Sequence, residues 1–356
     1  MKKRLFVKGN EAVAMGALEA GCRYYFGYPI TPQSEIPEFM SRELPAVGGQ
    51  FIQAESEIAS INMLLGASAC GARAMTSSSS PGISLKQEGL SYMAGSELPG
   101  LVVNIARSGP GLGGIDASQA DYFQAVKCGG HGGYRLIVLA PHCVQEMYDH
   151  AMLAFDLSDR YRIPALILGD SVIGQMKEAL IPHPRPQVDL PAKDWVVTGK
   201  GGRDHQKIVK SLYLGDGELE KHNWRLYEKY QQMQRDEVRF EAVALEDAEL
   251  VVTAFGVTAR IAKTALRMAR EAGMKVGMIR PITLFPFPCQ AFADLPETAR
   301  KVLCFELSTG QMVEDVRLHT PCDRAVEFYG RPPGAGSLPT PEELFEQISR
   351  HYGRKA

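Results

Sequence analysis

The sequence predicts an α/β protein, a doubly wound domain on a mainly parallel sheet followed by a smaller α/β domain. Three observations carry this. At 356 residues the chain exceeds what one core of ordinary size organises, so two domains of roughly 100–200 residues are expected. Short β-rich runs alternate with segments of helical spacing, the pattern of strands paired in parallel through right-handed crossovers. That alternation is interrupted once, by a proline-rich and then a heavily charged stretch, and resumes beyond it.

The first set of strands falls at 24–28, 50–54, 74–78, 101–106, 136–140 and 165–169. Helical spacing separates them, as at 56–71 (Ile58, Ile61, Leu64, Leu65) and 144–161 (Met147, Tyr148, Ala151, Phe155). Pro182, Pro184, Pro186 and Pro191 exclude helix and central strand and indicate an extended linker. Residues 218–241 are polar, charged and helically spaced, as in an exposed arm. The second set begins at Leu250, with strand 250–256, helix 258–272, strands 275–279 and 301–307, helix 311–319, strand 325–330 and helix 341–352. Gly273 suits the position just after a helix, and Pro341 with Glu342 and Glu343 suits a helix start. The expected division is therefore 1–181, a linker and arm at 182–247, and 248–356.

Composition removes several classes of function. With 39 Lys and Arg against 41 Asp and Glu, the net charge of −2 argues against nucleic-acid binding. No apolar run approaches the ~18–20 residues that span a bilayer, and Lys8 and Glu11 interrupt any signal-peptide core. The expectation is a cytoplasmic protein without a membrane partner. The seven cysteines are scattered, with no C-x-x-C pair, so no ribbon-type zinc site or ferredoxin-like cluster run is encoded.

Ligands on parallel sheets bind beyond the carboxyl ends of strands, so the loops there are the places to seek chemistry. In Gly27-Tyr28-Pro29-Ile30-Thr31-Pro32 two prolines flank one threonine and hold its hydroxyl in a rigid loop; an ordinary turn or helix cap reads equally well. Glu57, in Ala54-Glu55-Ser56-Glu57, sits in the first turn of a helix, where a carboxylate commonly matches the helix dipole. Ser77 to Gly82 form a serine-rich loop that offers hydroxyls or simply turns. The segment Arg107 to Asp116 contains G-x-G-x-x-G, but it opens no helix and no acidic residue ends the next strand, so a dinucleotide site is rejected. It reads better as a cover over a site, with the Arg107 guanidinium suited to a carboxylate. His131, between two pairs of glycines, reads as a loop residue.

Taken together, Gly27–Pro32, Glu55–Ile58, Ser79–Gly82 and the Arg107–Gly114 loop resemble the alpha subunit of 2-oxoacid:ferredoxin oxidoreductases. So do Arg280–Pro288, Glu306–Arg317 and Glu327–Pro332 in the second half. The charged arm looks most like the branched-chain, 2-oxoisovalerate branch. The resemblance implies a pyrimidine-type thiamin diphosphate-binding domain followed by a transketolase C-terminal-like domain. It implies oxidative decarboxylation of a 2-oxoacid to acyl-coenzyme A and CO₂, with electrons passed to ferredoxin. A beta subunit would hold the diphosphate and Mg²⁺, with 4Fe-4S clusters in partner chains and gamma and ferredoxin-like delta subunits as further partners. Gly215-Asp216-Gly217 imitates the metal motif of thiamin diphosphate enzymes, but the asparagine that should follow at a distance is missing.

Residue by residue, Glu57 matches the glutamate that hydrogen-bonds the aminopyrimidine ring and favours its imino tautomer. Thr31 matches the threonine near the substrate's carboxylate and carbonyl, and Arg107 the arginine that holds the carboxylate. Tyr28, Pro29 and Ser79 fall in the matching cofactor-binding loops, and Glu55 is adjacent to them. The alternatives are a 2-oxoglutarate or pyruvate form, another thiamin diphosphate subunit such as a transketolase-like one, and a non-catalytic partner that kept the fold.

Overall fold

The structure, a computed structural model, describes residues 4–334, 336 and 338–353. The chain opens with β1 (Leu5–Lys8) and α1 (Gly9–Glu19), then alternates β2 (Tyr24–Gly27), α2 (Glu35–Ala46), β3 (Gln50–Gln53), α3 (Glu57–Ala69), β4 (Ala74–Ser78), α4 (Ser80–Gly95) and β5 (Gly100–Ala106). After the short α5 (Tyr122–Val126) come β6 (Ile137–Leu139), α6 (Val144–Tyr161), β7 (Pro164–Asp170), α7 (Ser171–Gln175) and β8 (Lys177–Leu180). A long irregular stretch leads to α8 (Glu218–Asp236) and β9 (Phe240–Val243). The chain continues through β10 (Leu250–Thr253), α9 (Gly256–Glu271), β11 (Val276–Pro281), β12 (Thr283–Phe285), α10 (Cys289–Ala293), β13 (Lys301–Glu306), α11 (Met312–His319), β14 (Ala325–Gly330) and α12 (Pro341–Tyr352).

The larger sheet has the order β12-β6-β7-β5-β4-β2-β3 and the second the order β14-β13-β10-β11-β9. Within these two sheets the pairings are parallel except β12 with β6 and β9 with β11. Helices cover both faces of the larger sheet, so β5 and β7 are buried at every position and read as near-continuous apolar runs. Each strand and helix expected from periodicity is present, and α12 begins with a capping box between Thr340 and Glu343.

The structure adds elements that periodicity did not reveal. β1 and β8 pair antiparallel as a separate ribbon, and β9 joins the edge of the second sheet. β12 lies between Pro281 and Pro286 and adds to the edge of the first sheet, a position that tolerates neighbouring prolines. The arm also differs from expectation. α8 buries His222, Leu226, Tyr230 and Met233 on one face, and Lys229 pairs with Glu97 at 2.7 Å. One buried residue per turn is a narrow stripe, easily hidden among charges. Gly215–Gly217 is the turn that opens this helix, with Gly217 at φ +72° as its N-cap.

Polar side chains lock the two sheets' units together. Gln119 exchanges bonds with the backbone of Leu307 and donates to the Phe255 carbonyl at 2.7 Å. Asp315 of α11 accepts from Tyr122 at 2.7 Å, and Gln311 accepts from the Phe123 amide at 2.8 Å. The acceptor that anchors α11 is Glu306, fully buried, whose carboxylate takes the amides of Gln311, Met312 and Val313. This gives the Glu306–Arg317 segment a structural task, capping a helix that clasps the first unit.

Candidate active site

Adjacent parallel strands β5, β4, β2 and β3 send their carboxyl-terminal loops to one rim of the larger sheet. Thr31 comes from the loop after β2, Glu57 from that after β3, Ser79 from that after β4 and Arg107 from that after β5. Residues scattered over 77 positions of sequence are thus placed on one edge by sheet order alone.

The Thr31 loop is held from below. The Pro32 carbonyl accepts from Asn10 and from Gln175, each at 2.9 Å, and the Thr31–Pro32 peptide is cis. The Thr31 side chain is exposed and makes no hydrogen bond among the described residues, so it serves neither turn nor cap. Ser34 is the N-cap position of α2. Tyr28 and Pro29 are exposed on the same loop.

Arg107 is 8% exposed at the end of β5. Its Nη1 donates to the Thr31 carbonyl at 2.9 Å and its Nη2 to the Leu112 carbonyl at 3.1 Å, while Nε has no partner. No carboxylate among the described residues pairs with it. The guanidinium therefore ties the threonine loop to the glycine loop and keeps its charge uncompensated. The glycine loop folds back on itself, with the Gly114 amide bonded to the Ser108 carbonyl and hydroxyl at 3.0 Å. Ser80 braces the strand end, donating to and accepting from the Arg107 backbone.

Glu57 occupies the first position of α3, after the N-cap Ser56, whose hydroxyl accepts from the Ala59 amide at 3.1 Å. Dipole matching alone would leave such a carboxylate in solvent, yet Glu57 is 6% exposed and its carboxylate accepts no hydrogen bond among the described residues. It lies against Gly82 of α4, where a β-carbon would collide with Ser78 Oγ and come 2.7 Å from Glu57 Oε1. Glycine is needed there to leave room for the carboxylate. Around this crevice the hydroxyls of Ser78 and Ser79 and the amide nitrogen of Gln87 are buried without hydrogen-bond partners among the described residues. Glu55 is exposed at the lip and makes no hydrogen bond among the described residues.

One member of the crevice was not singled out from the sequence. Lys86 of α4 is fully buried, and its amino group donates to the Glu57 carbonyl at 3.3 Å and to the Ser60 hydroxyl. Burial pushes its pKa down to about 7, against the opposing attraction of Glu57. The signal was present, since Lys86 falls on the buried stripe of Ile83, Leu90 and Met93.

The rim has the features of a ligand-binding site. It offers a donorless buried carboxylate, bare hydroxyls and a guanidinium without a counter-ion, the kind of set that an aminopyrimidine and a carboxylate substrate would complete. His142, Cys143 and Glu146 lie close enough to suggest a metal, but Glu146 is engaged bidentately by Arg280 and His142 contacts Lys263.

Comparison with known proteins agrees with this class. Residues 15–209 match the family model for pyruvate flavodoxin/ferredoxin oxidoreductase, thiamine diphosphate-binding, and residues 248–344 match pyruvate:ferredoxin oxidoreductase core domain II. The chain belongs to the 2-oxoacid:ferredoxin oxidoreductase family. It is 52% identical to the ketoisovalerate oxidoreductase subunit VorB of Methanothermobacter marburgensis, over 91% of this chain and 92% of that one. It is 39% identical to the 2-oxoglutarate synthase subunit KorA of Methanocaldococcus jannaschii, over 95% and 97%. Among solved structures, the 2-oxoglutarate:ferredoxin oxidoreductase from Magnetococcus marinus, with 2-oxoglutarate, coenzyme A and succinyl-CoA bound, superposes with a TM-score of 0.87 at 26% identity. That match covers 99% of this chain and 66% of the other. A split-gene transketolase shares the fold, with a TM-score of 0.60 at 12% identity. No helix of the described residues is long and apolar enough to cross a membrane.

Proposed function

We propose that this chain is the alpha subunit of a branched-chain 2-oxoacid:ferredoxin oxidoreductase, converting a 2-oxoacid of the 2-oxoisovalerate type and coenzyme A to acyl-coenzyme A and CO₂. The observation that carries the reading is the pairing of two unsatisfied groups on one rim, the donorless carboxylate of Glu57 and the carboxylate-free guanidinium of Arg107. Similarity to the ketoisovalerate subunit, higher than to the 2-oxoglutarate subunit, favours the branched-chain substrate.

Bound thiamin diphosphate would supply the nucleophilic carbon and the electron sink. This chain's residues hold and orient. Glu57, buried against the wall of α4, would hydrogen-bond the pyrimidine ring nitrogen and hold the proton exchanged there. Ser79 and the Tyr28–Pro29 loop line the cofactor's approach. Arg107 grips the substrate carboxylate through the Nη1 and Nη2 N–H groups that Thr31 and Leu112 leave unused, and the Thr31 hydroxyl donates toward the carbonyl.

The partners are those that the family resemblance implies. A beta subunit supplies the diphosphate and Mg²⁺ site, 4Fe-4S clusters lie in the partner chains, and gamma and ferredoxin-like delta subunits complete a cytoplasmic complex that reduces ferredoxin. The test is co-purification of the complex from its source, then viologen reduction with a panel of 2-oxoacids and coenzyme A. Branched-chain acids should give the highest kcat/KM. A complex that reduces viologen with no 2-oxoacid, or an isolated chain found without partners, would overturn the proposal.

A further inference from the structure

Helix α4 presents Gly82, Lys86 and Gly89 toward α3 at spacings of four and three residues, so all three lie on one face. Gly82 makes room for the Glu57 carboxylate, and Gly89 lets Ile61 approach closely. Between the two, where another small or apolar residue would pack, stands a lysine with no solvent exposure. An ammonium has three donors, and this one finds two acceptors, the Glu57 carbonyl and the Ser60 hydroxyl. Ser60 in turn donates back to the Glu57 carbonyl at 2.9 Å. Both acceptors belong to the first turn of α3, the turn that carries the Glu57 carboxylate.

A buried, underpaired cation costs stability, and an apolar residue of the same length would pack there without that penalty. The cost makes sense if the amine acts on its neighbour. Glu57 is the charged group that acts on Lys86 from any element packed against it. We propose that Lys86 is a positioning residue for Glu57, fixing the first turn of α3 through the Glu57 carbonyl and Ser60 and setting the electrostatic field in which the carboxylate exchanges its proton. This rests on the cofactor role given to Glu57 above. With its pKa near neutrality, Lys86 changes charge within the working range of such an enzyme, so the support it gives Glu57 varies with pH.

The test uses the whole complex with Lys86→Met, which keeps length and removes the amine. Three readouts are needed: melting temperature, affinity for thiamin diphosphate, and the pH profile of kcat. The expected result sets stability and function in opposition. The variant melts at or above the wild-type temperature, binds thiamin diphosphate several-fold more weakly, and loses at least about tenfold in kcat, with KM for the 2-oxoacid little changed. Loss of a nearby positive charge raises the pKa of a carboxylate, so the acid limb of the kcat profile moves to higher pH. A lysine with only a structural role would lower melting temperature and leave that limb in place. Wild-type kcat, cofactor affinity and pH profile in Lys86→Met, beside an inactive Glu57→Gln complex, overturn the inference alone. A Glu57→Gln complex with wild-type turnover overturns the reading of the site and the inference with it. If Lys86→Met does not assemble, Ser60→Ala removes one acceptor and keeps the amine. The same shifts in weaker form support the proposal, and wild-type behaviour in Ser60→Ala overturns it.

Discussion

Replacing Arg107 by alanine removes the only cation that reaches both the threonine loop and the glycine loop by hydrogen bonds among the described residues. Two of its nitrogens already serve the Thr31 and Leu112 carbonyls, which leaves one further N–H on each of them for a ligand. Two hydrogen bonds to a charged carboxylate at about 1.5–3 kcal/mol each amount to roughly 3–6 kcal/mol. At about 1.4 kcal/mol per decade this is a loss of roughly 10²–10⁴ in kcat/KM. The carboxylate is gripped in the bound substrate before the bond to CO₂ breaks, so most of the loss should appear in KM. The two loop carbonyls lie at a rim that water reaches, so their loss of a donor should cost only about 1 kcal/mol of stability. Arg107→Lys keeps the charge without the fork and should fall between the two. The assay is steady-state viologen reduction by the assembled complex across 2-oxoacid concentrations, with a melting curve as control. An Arg107→Ala complex that assembles normally and keeps kcat/KM within threefold of wild type would refute the assignment.

Three further outcomes are expected. Glu306→Ala strips the amides of Gln311, Met312 and Val313 of their buried acceptor, at about 1–3 kcal/mol for each one left unpaired. Hydrogen exchange should quicken in α11 and, through Asp315 and Gln311, at 122–127; unchanged exchange there would contradict the clasp. Arg280→Met leaves Glu146 and Glu241 without the buried cation that bonds both at 2.8 Å, and should destabilise by about 3–5 kcal/mol near neutral pH. Burial opposes ionisation of Glu146, but His142, His150 and Arg280 outweigh it and hold the carboxyl well below its ordinary 4.5. That stability is present above pH 4.5 and fades as pH falls, so the variant's deficit should shrink in acid, as urea titrations at two pH values would show. Lys86 supplies a test on the alkaline side. Between its folded value of about 7 and its ordinary 10.5 the unfolded chain binds the extra proton, so wild-type stability should rise with pH from 7. Buried thiols such as Cys22, pushed up to about 12, reverse the trend above their ordinary 9.0. Lys86→Met should show a flatter slope between pH 7 and 9, and equal slopes would show that Lys86 is not the group responsible.

Strands such as 74–78 and helices such as 144–161 were legible because their signals are local, an apolar run or a 3.6-residue stripe that neighbouring residues complete. Thr31, Ser79 and Arg107 stood out as candidates because they occupy loops after strands, whereas Glu57 read as ordinary charge matching at a helix start and took its expected role from the family resemblance alone. β12 was not legible, since three residues between prolines become a strand only when a distant edge accepts them. Neither was the packed face of α8, whose buried residues appear once per turn among charges.

The sequence by itself determined the main alternation of strands and helices, the class of fold and the family, because periodicity and motifs need no knowledge of distant neighbours. Tertiary structure alone decided that the Thr31 carbonyl is bound by Arg107, that Gly82 opens the space for Glu57, and that Lys86 is sealed beside it. Those are contacts between segments brought together by the strand order β5-β4-β2-β3. Burial of a charge is a property of the assembled neighbourhood, and a lysine reads the same in sequence whether water surrounds it or two helices close over it.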